Sequence, residues 1–115
     1  MLPGIKQFDL SGRAVIVTGG SKGLGKTMAE GFASAGANLF LVSRNLAEAE
    51  AAASEIQESY QTKAIGYEAD VTDEAAVEHM VKDALSAYGQ IDVLVNNAGI
   101  NRRGSIEEVS YDDFK

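Results

Sequence analysis

Four short aliphatic runs, each separated from the next by a longer stretch with helical spacing, constrain this chain more than any other feature. Residues 13–18 (RAVIVT), 38–43 (NLFLVS), 63–69 (KAIGYEA) and 91–95 (IDVLV) read as strands. Three of them are nearly continuous Val, Ile, Leu and Phe rather than alternating apolar and polar, the pattern of strands covered on both faces. Between them Leu24, Met28 and Phe32 recur every fourth residue. Leu46, Ala49, Ala53, Ile56 and Tyr60 recur at three- and four-residue steps, with Glu48, Glu50, Glu55 and Glu58 off that face, and Val77, Met80, Val81, Ala84 and Tyr88 do the same. These are amphipathic helices.

The punctuation agrees. Asn45 can cap its helix, with Glu48 in the capping-box position three residues on. Thr72-Asp73 opens the third helix, and Gly36 and Gly89 stand where helices should end. Strand and helix alternating in this way is a run of parallel crossovers, so the expected class is α/β, a doubly wound Rossmann-type parallel sheet. Such a sheet usually continues to six strands, and only the first four are present. The outer edge of 91–95 would then be apolar and unpaired, and Ser110 reads as the cap of a helix that is only starting at Lys115. Residues 1–115 are therefore expected to be the N-terminal part of a single domain, a fragment of a longer protein, with no internal repeat or linker.

Composition excludes several function classes. The hydrophobic share of 45% against 23% charged is ordinary for a globular chain. Ten Lys and Arg against seventeen Asp and Glu give a net charge of −7, the wrong sign for a general nucleic-acid binder or for attraction to anionic membranes. With no cysteine there is no disulfide framework and no thiolate nucleophile or metal ligand. The runs at 14–17 and 39–42 are too short to cross a bilayer, and Met1-Leu2-Pro3-Gly4 lacks the layout of a secretory signal. The single His79 has no second His or Cys to join it at a metal, so it reads as a surface histidine. The acids of 48–58 and Glu107-Glu108 read as helix-surface charge. A soluble, cytoplasmic chain without a metal is expected.

The chemistry is concentrated in Thr18-Gly19-Gly20-Ser21-Lys22-Gly23-Leu24-Gly25-Lys26-Thr27, between the first strand and the first helix. Glycines there let a ligand approach the backbone, and amides at a helix N-terminus attract phosphate. Two patterns overlap. GSKGLGKT, residues 20–27, fits the phosphate loop of nucleotide triphosphatases, with Lys26 and Thr27 as phosphate and magnesium groups. That reading needs an apolar strand ending in Asp, but 39–42 runs into Ser43-Arg44 and 93–95 into Asn96-Asn97; the sole carboxylate at a strand end is Asp70, after the weakest strand. Residues 18–25 instead fit a TGxxxGxG loop. Asn96-Asn97-Ala98-Gly99 follows the fourth strand, Asp70-Val71 follows the third, and Phe8-Asp9-Leu10-Ser11-Gly12-Arg13 leads into the first. With these four motifs in order, the whole chain resembles the N-terminal half of the short-chain dehydrogenase/reductase family, its flavour similar to gluconate 5-dehydrogenase-like and 3-oxoacyl-carrier-protein reductase-like members.

The resemblance implies a nicotinamide dinucleotide across the crevice where strand order reverses. Gly19, Ser21, Lys22, Gly23, Leu24 and Gly25 would line its phosphates and ribose, Asp70 and Val71 its adenine, and Asn97, Ala98 and Gly99 the nicotinamide side. NAD-preferring members carry a carboxylate at the end of the second strand. Here Ser43 and Arg44 stand there, so repulsion toward a 2′-phosphate is absent and a guanidinium can pair with it. Lys22 adds a second cation, and NADP is expected over NAD. Arg102 and Arg103, just past the NNAG turn, could pair with a substrate carboxylate, as in members acting on sugar acids; a solvated basic loop is the plainer alternative. The family's catalytic residues are not expected in this chain. Tyr111-Asp112-Asp113-Phe114-Lys115 fits the family's Tyr-x-x-x-Lys pattern letter for letter, yet only eleven residues separate it from Gly99, too few for the strand that should intervene. The chain alone is expected to bind cofactor poorly and to catalyse nothing. The longer protein would be an NADP(H)-dependent oxidoreductase acting on a small alcohol or carbonyl compound and would assemble as a homotetramer, with no nucleic-acid or membrane partner.

Overall fold

A computed structural model of the chain describes residues 9–97. Four strands, β1 (Ala14–Thr18), β2 (Asn38–Ser43), β3 (Ala64–Glu68) and β4 (Val93–Asn96), alternate with three helices, α1 (Gly23–Ser34), α2 (Leu46–Tyr60) and α3 (Glu74–Tyr88). All pairings are parallel and the sheet order is β3-β2-β1-β4. This is the doubly wound α/β arrangement that the alternating pattern predicts. Strand ends differ by a residue or two: Arg13, Lys63, Ala69 and Ile91 lie just outside their strands, and Asn96 is the last residue of β4.

The continuous apolar runs are explained by the two faces of β1 and β2. Val15, Val17, Leu39 and Leu41 pack under α1 and α2 against Ala29, Ala33, Ala52, Ala53 and Ile56. Ile16, Phe40 and Val42 point the other way, onto Met80 and Ala84 of α3. Every residue of β1 is buried, whereas Val93, Leu94 and Val95 of the edge strand β4 are half-buried.

The caps also follow the sequence. Asn45 Oδ1 accepts from Glu48 N at 3.1 Å, and Asp73 Oδ1 accepts from Ala75 N at 3.0 Å. Gly89 ends α3 in the left-handed region, φ 77°, and Gly36 follows α1 at φ 97°. No turn residue foretold the end of α2, where Gln61 adopts φ 57°.

Helix α1 departs from expectation. The line turned to the sheet is Gly25, Ala29 and Ala33, not Leu24, Met28 and Phe32. Met28 and Phe32 are half-buried at the border of the core, and Leu24 is 58% exposed. The helix sits so close to the end of β1 that a side chain at Gly25 would meet the Gly19 carbonyl oxygen at 2.0 Å; only small residues fit that line. In α2 the end residues Leu46 and Tyr60 are likewise exposed, and Ala52 joins the buried face in their place.

Candidate functional site

Strand order reverses at β1. The first two crossovers place α1 and α2 on one face, and the third places α3 on the other, so the C-terminal ends of β1 and β4 open onto a crevice. The two strands are tied at both ends. At the bottom, Asp92 accepts from Ala14 N at 2.8 Å, Gln90 Nε2 at 2.6 Å and Arg13 Nη1 at 3.3 Å. The Ala14 amide foremost, with Gln90 and Arg13, holds its carboxyl below the usual range. At the top, Thr18 Oγ1 donates to Asn96 Oδ1 at 2.8 Å, both residues being buried, and Asn97 Nδ2 donates to Gly19 O at 3.3 Å. These contacts bring the glycine loop beside the Asn96-Asn97 turn.

Three of the four glycines of the loop have a steric or backbone reason of their own. Gly19 and Gly23 sit at φ 66° and 61°, where a side chain is strained. A Cβ at Gly25 would strike Asn97 Nδ2 at 2.7 Å as well as Gly19 O. The N-terminus of α1 is also unlike those of its neighbours. Its N-cap, Lys22, makes no side-chain cap hydrogen bond, and its first turn holds no acid. Helices α2 and α3 have both. Among the described residues the first turn of α1 thus has neither a side-chain cap nor an acid of its own, which fits an anionic ligand.

A cleft of about 800 Å³ opens there, bordered by Gly19, Ser21 and Lys22 from the loop, Ser43 and Arg44 after β2, Asp70 and Val71 after β3, and Asn97 after β4. Eight of the residues singled out from sequence are thus brought together. Gly23, Leu24 and Gly25 form the first turn of α1 beside the cleft without bordering it. Ala98, Gly99, Arg102, Arg103 and the Tyr111–Lys115 segment lie outside the described residues. Sequence reasoning missed Asn45, Glu48 and Thr72, which also border the cleft. The available signal was position: a helix starting one residue after Asn45 carries its first turn to the mouth. Asp70 is shaped by a local turn, its Oδ1 accepting from Thr72 N at 2.9 Å and Thr72 Oγ1 at 2.6 Å.

The triphosphatase alternative does not survive the geometry. Lys26 Nζ lies 2.8 Å from Glu55 Oε1 on α2, and that hydrogen bond raises the ammonium pKa. Thr27 Oγ1 donates to Gly23 O within its own helix at 3.2 Å. Neither residue borders the cleft. Among the described residues no group of three His, Asp or Glu is placed to hold a metal, His79 is exposed, and no helix is long and apolar enough to cross a membrane.

A parallel sheet whose glycine-bearing first crossover opens at the switch point defines a nucleotide-binding α/β unit. Residues 13–115 match the short chain dehydrogenase family model, and the chain belongs to that family of oxidoreductases. It is 43% identical over 107 residues to gluconate 5-dehydrogenase of Gluconobacter oxydans, covering 93% of this chain and 41% of that protein. L-sorbose reductase of Gluconobacter frateurii, solved with NADPH and L-sorbose, superposes with a TM-score of 0.78 at 35% identity, covering 88% of this chain and 38% of that one. The 3-ketoacyl-(acyl-carrier-protein) reductase of Brucella melitensis, solved with NADH, gives 0.67 at 39% identity, covering 74% and 33%. The chain spans about two fifths of the length of such relatives.

Proposed function

We propose that these residues are the N-terminal part of the single domain of a cytoplasmic, homo-oligomeric oxidoreductase that uses NADP(H) in preference to NAD(H). The observation that carries this reading is Ser43-Arg44 at the end of β2, a hydroxyl and a guanidinium at the cleft mouth where an NAD-selecting carboxylate would otherwise stand. None of the ion pairs among the described residues engages Arg44, so its planar fork is available for bidentate pairing with a 2′-phosphate. The glycine loop and the first-turn amides of α1 would hold the diphosphate. Ser21 and Lys22 would lie along phosphate and ribose, Asp70 and Val71 against the adenine, and Asn97, followed by Ala98 and Gly99, on the nicotinamide side. When bound, the nicotinamide supplies or accepts a hydride.

The substrate is a small alcohol or carbonyl compound, a sugar acid or polyol such as gluconate. Support comes from the gluconate 5-dehydrogenase likeness over 93% of this chain and from Arg102 and Arg103, which can pair with a carboxylate. A 3-oxoacyl-carrier-protein substrate is the second reading, favoured by the 39% identity to the Brucella reductase. Charge reversal tests the cofactor assignment: Arg44→Asp in the full-length protein should weaken NADPH binding about tenfold or more and spare NADH. Unchanged NADPH affinity would refute it. Equal kcat/KM for gluconate and glycerol would remove the carboxylate role of Arg102 and Arg103.

A further inference from the structure

Two cations, Lys22 and Arg44, border the cleft mouth, and they are not equivalent. Lys22 Nζ lies 3.3 Å from Glu48 Oε1, and the Glu48 carboxylate borders the same cleft. The cleft lining therefore sets Glu48 and Asp70 against Lys22 and Arg44, and of the two cations Lys22 is the one held in an ion pair among the described residues.

The cap of α2 explains why Glu48 reaches outward. In a complete capping box its carboxylate would accept the Asn45 backbone N–H. That N–H instead donates to Ser43 Oγ at 3.1 Å, while the Asn45 side chain still accepts from Glu48 N. The half-made box leaves the Glu48 carboxylate to bridge from α2 to the glycine loop. The pair is open to water, with the Lys22 side chain 82% exposed and that of Glu48 40%. Such pairs are weak and exchange partners readily. A phosphate monoester arriving at Arg44 would thus compete with Glu48 for Lys22 and lie close to a carboxylate.

We infer that Glu48 is a specificity-determining residue: it occupies Lys22 and weakens the grip of the cleft mouth on a 2′-phosphorylated adenosine, narrowing the preference that Arg44 creates. The inference rests on the proposed reading in placing the adenosine 2′ position at this mouth. It predicts the direction in which the preference moves, whatever its starting value.

The test is isothermal titration of the full-length protein with adenosine 2′,5′-bisphosphate and with 5′-AMP, for the wild type, E48Q, K22Q and the double variant. Glutamine keeps the length and helix preference of the side chain and removes only its charge. E48Q should tighten the bisphosphate about three- to tenfold and leave 5′-AMP within about twofold. In the K22Q background most of that gain should vanish, because the freed cation is gone. An E48Q variant whose bisphosphate-to-AMP affinity ratio is unchanged or lowered overturns the inference. A wild type with no preference for the bisphosphate, but a ratio raised by E48Q, would instead sink the NADP reading and leave the Glu48 role standing.

Discussion

A methyl group at Gly25 would press on the Gly19 carbonyl oxygen at 2.0 Å and the Asn97 amide nitrogen at 2.7 Å, atoms that join the glycine loop to the turn after β4. Backbone cannot yield as a flexible side chain can, so Gly25→Ala should cost about 3 kcal/mol by urea unfolding of the full-length protein and should also weaken cofactor binding. Asp92 makes a prediction in pH. Its folded pKa is lowered, chiefly by the Ala14 amide, so the stability it adds is present above the unfolded value of about 4 and is lost as pH falls through the folded value. Thermal midpoints on the acid side should therefore fall less steeply in Asp92→Asn than in the wild type. Part of this scale was legible in sequence: the glycines stand out after the first strand, and the interest of Ser43 and Arg44 follows from the resemblance to the short-chain dehydrogenase family. The Lys22–Glu48 pair was not, because residues 26 apart in sequence meet only once α2 has docked beside the loop.

Among the elements, periodicity located the three helices of the described residues but misjudged how α1 faces the sheet. Leu24, Met28 and Phe32 carry the stronger hydrophobic signal, yet the close approach at Gly25 selects Gly25, Ala29 and Ala33 for the contact. Steric closeness between two backbones leaves no mark in a hydrophobicity pattern except the smallness of the residues themselves. The same closeness recurs between α2 and β3, where a Cβ on Gly66 would lie 2.5 Å from the Ala49 carbonyl carbon. Gly66→Ala should destabilise by about 3 kcal/mol. Gly31, inside α1 with open space around its missing Cβ, should respond oppositely, Gly31→Ala adding about 0.5–1 kcal/mol through helix propensity. Urea midpoints of the two variants, measured side by side, check both signs.

Across the whole molecule, two tyrosines seal the face of the sheet that α3 covers. Tyr67 of β3 packs on Phe40 with ring centroids 4.9 Å apart and donates its hydroxyl to Asp83. Tyr88, at the end of α3, donates to the Leu39 carbonyl oxygen at 2.6 Å. Burial, and for Tyr67 also the Asp83 carboxylate, pushes both phenols up to about 12. The folded state thus favours their neutral form, and its stability should be intact below about pH 10 and decline from there toward about 12 as the unfolded phenols ionise. Tyr67→Phe should flatten part of that decline, read by circular dichroism along an alkaline titration. The central claim concerns the crevice itself: that the loop after β1 holds the diphosphate of a nicotinamide dinucleotide while Arg44 recognises its 2′-phosphate. Equilibrium titration of the full-length protein with NADPH and NADH tests it most directly. Both should bind through their shared core, NADPH about tenfold more tightly; binding of neither, or tighter binding of NADH, would contradict it.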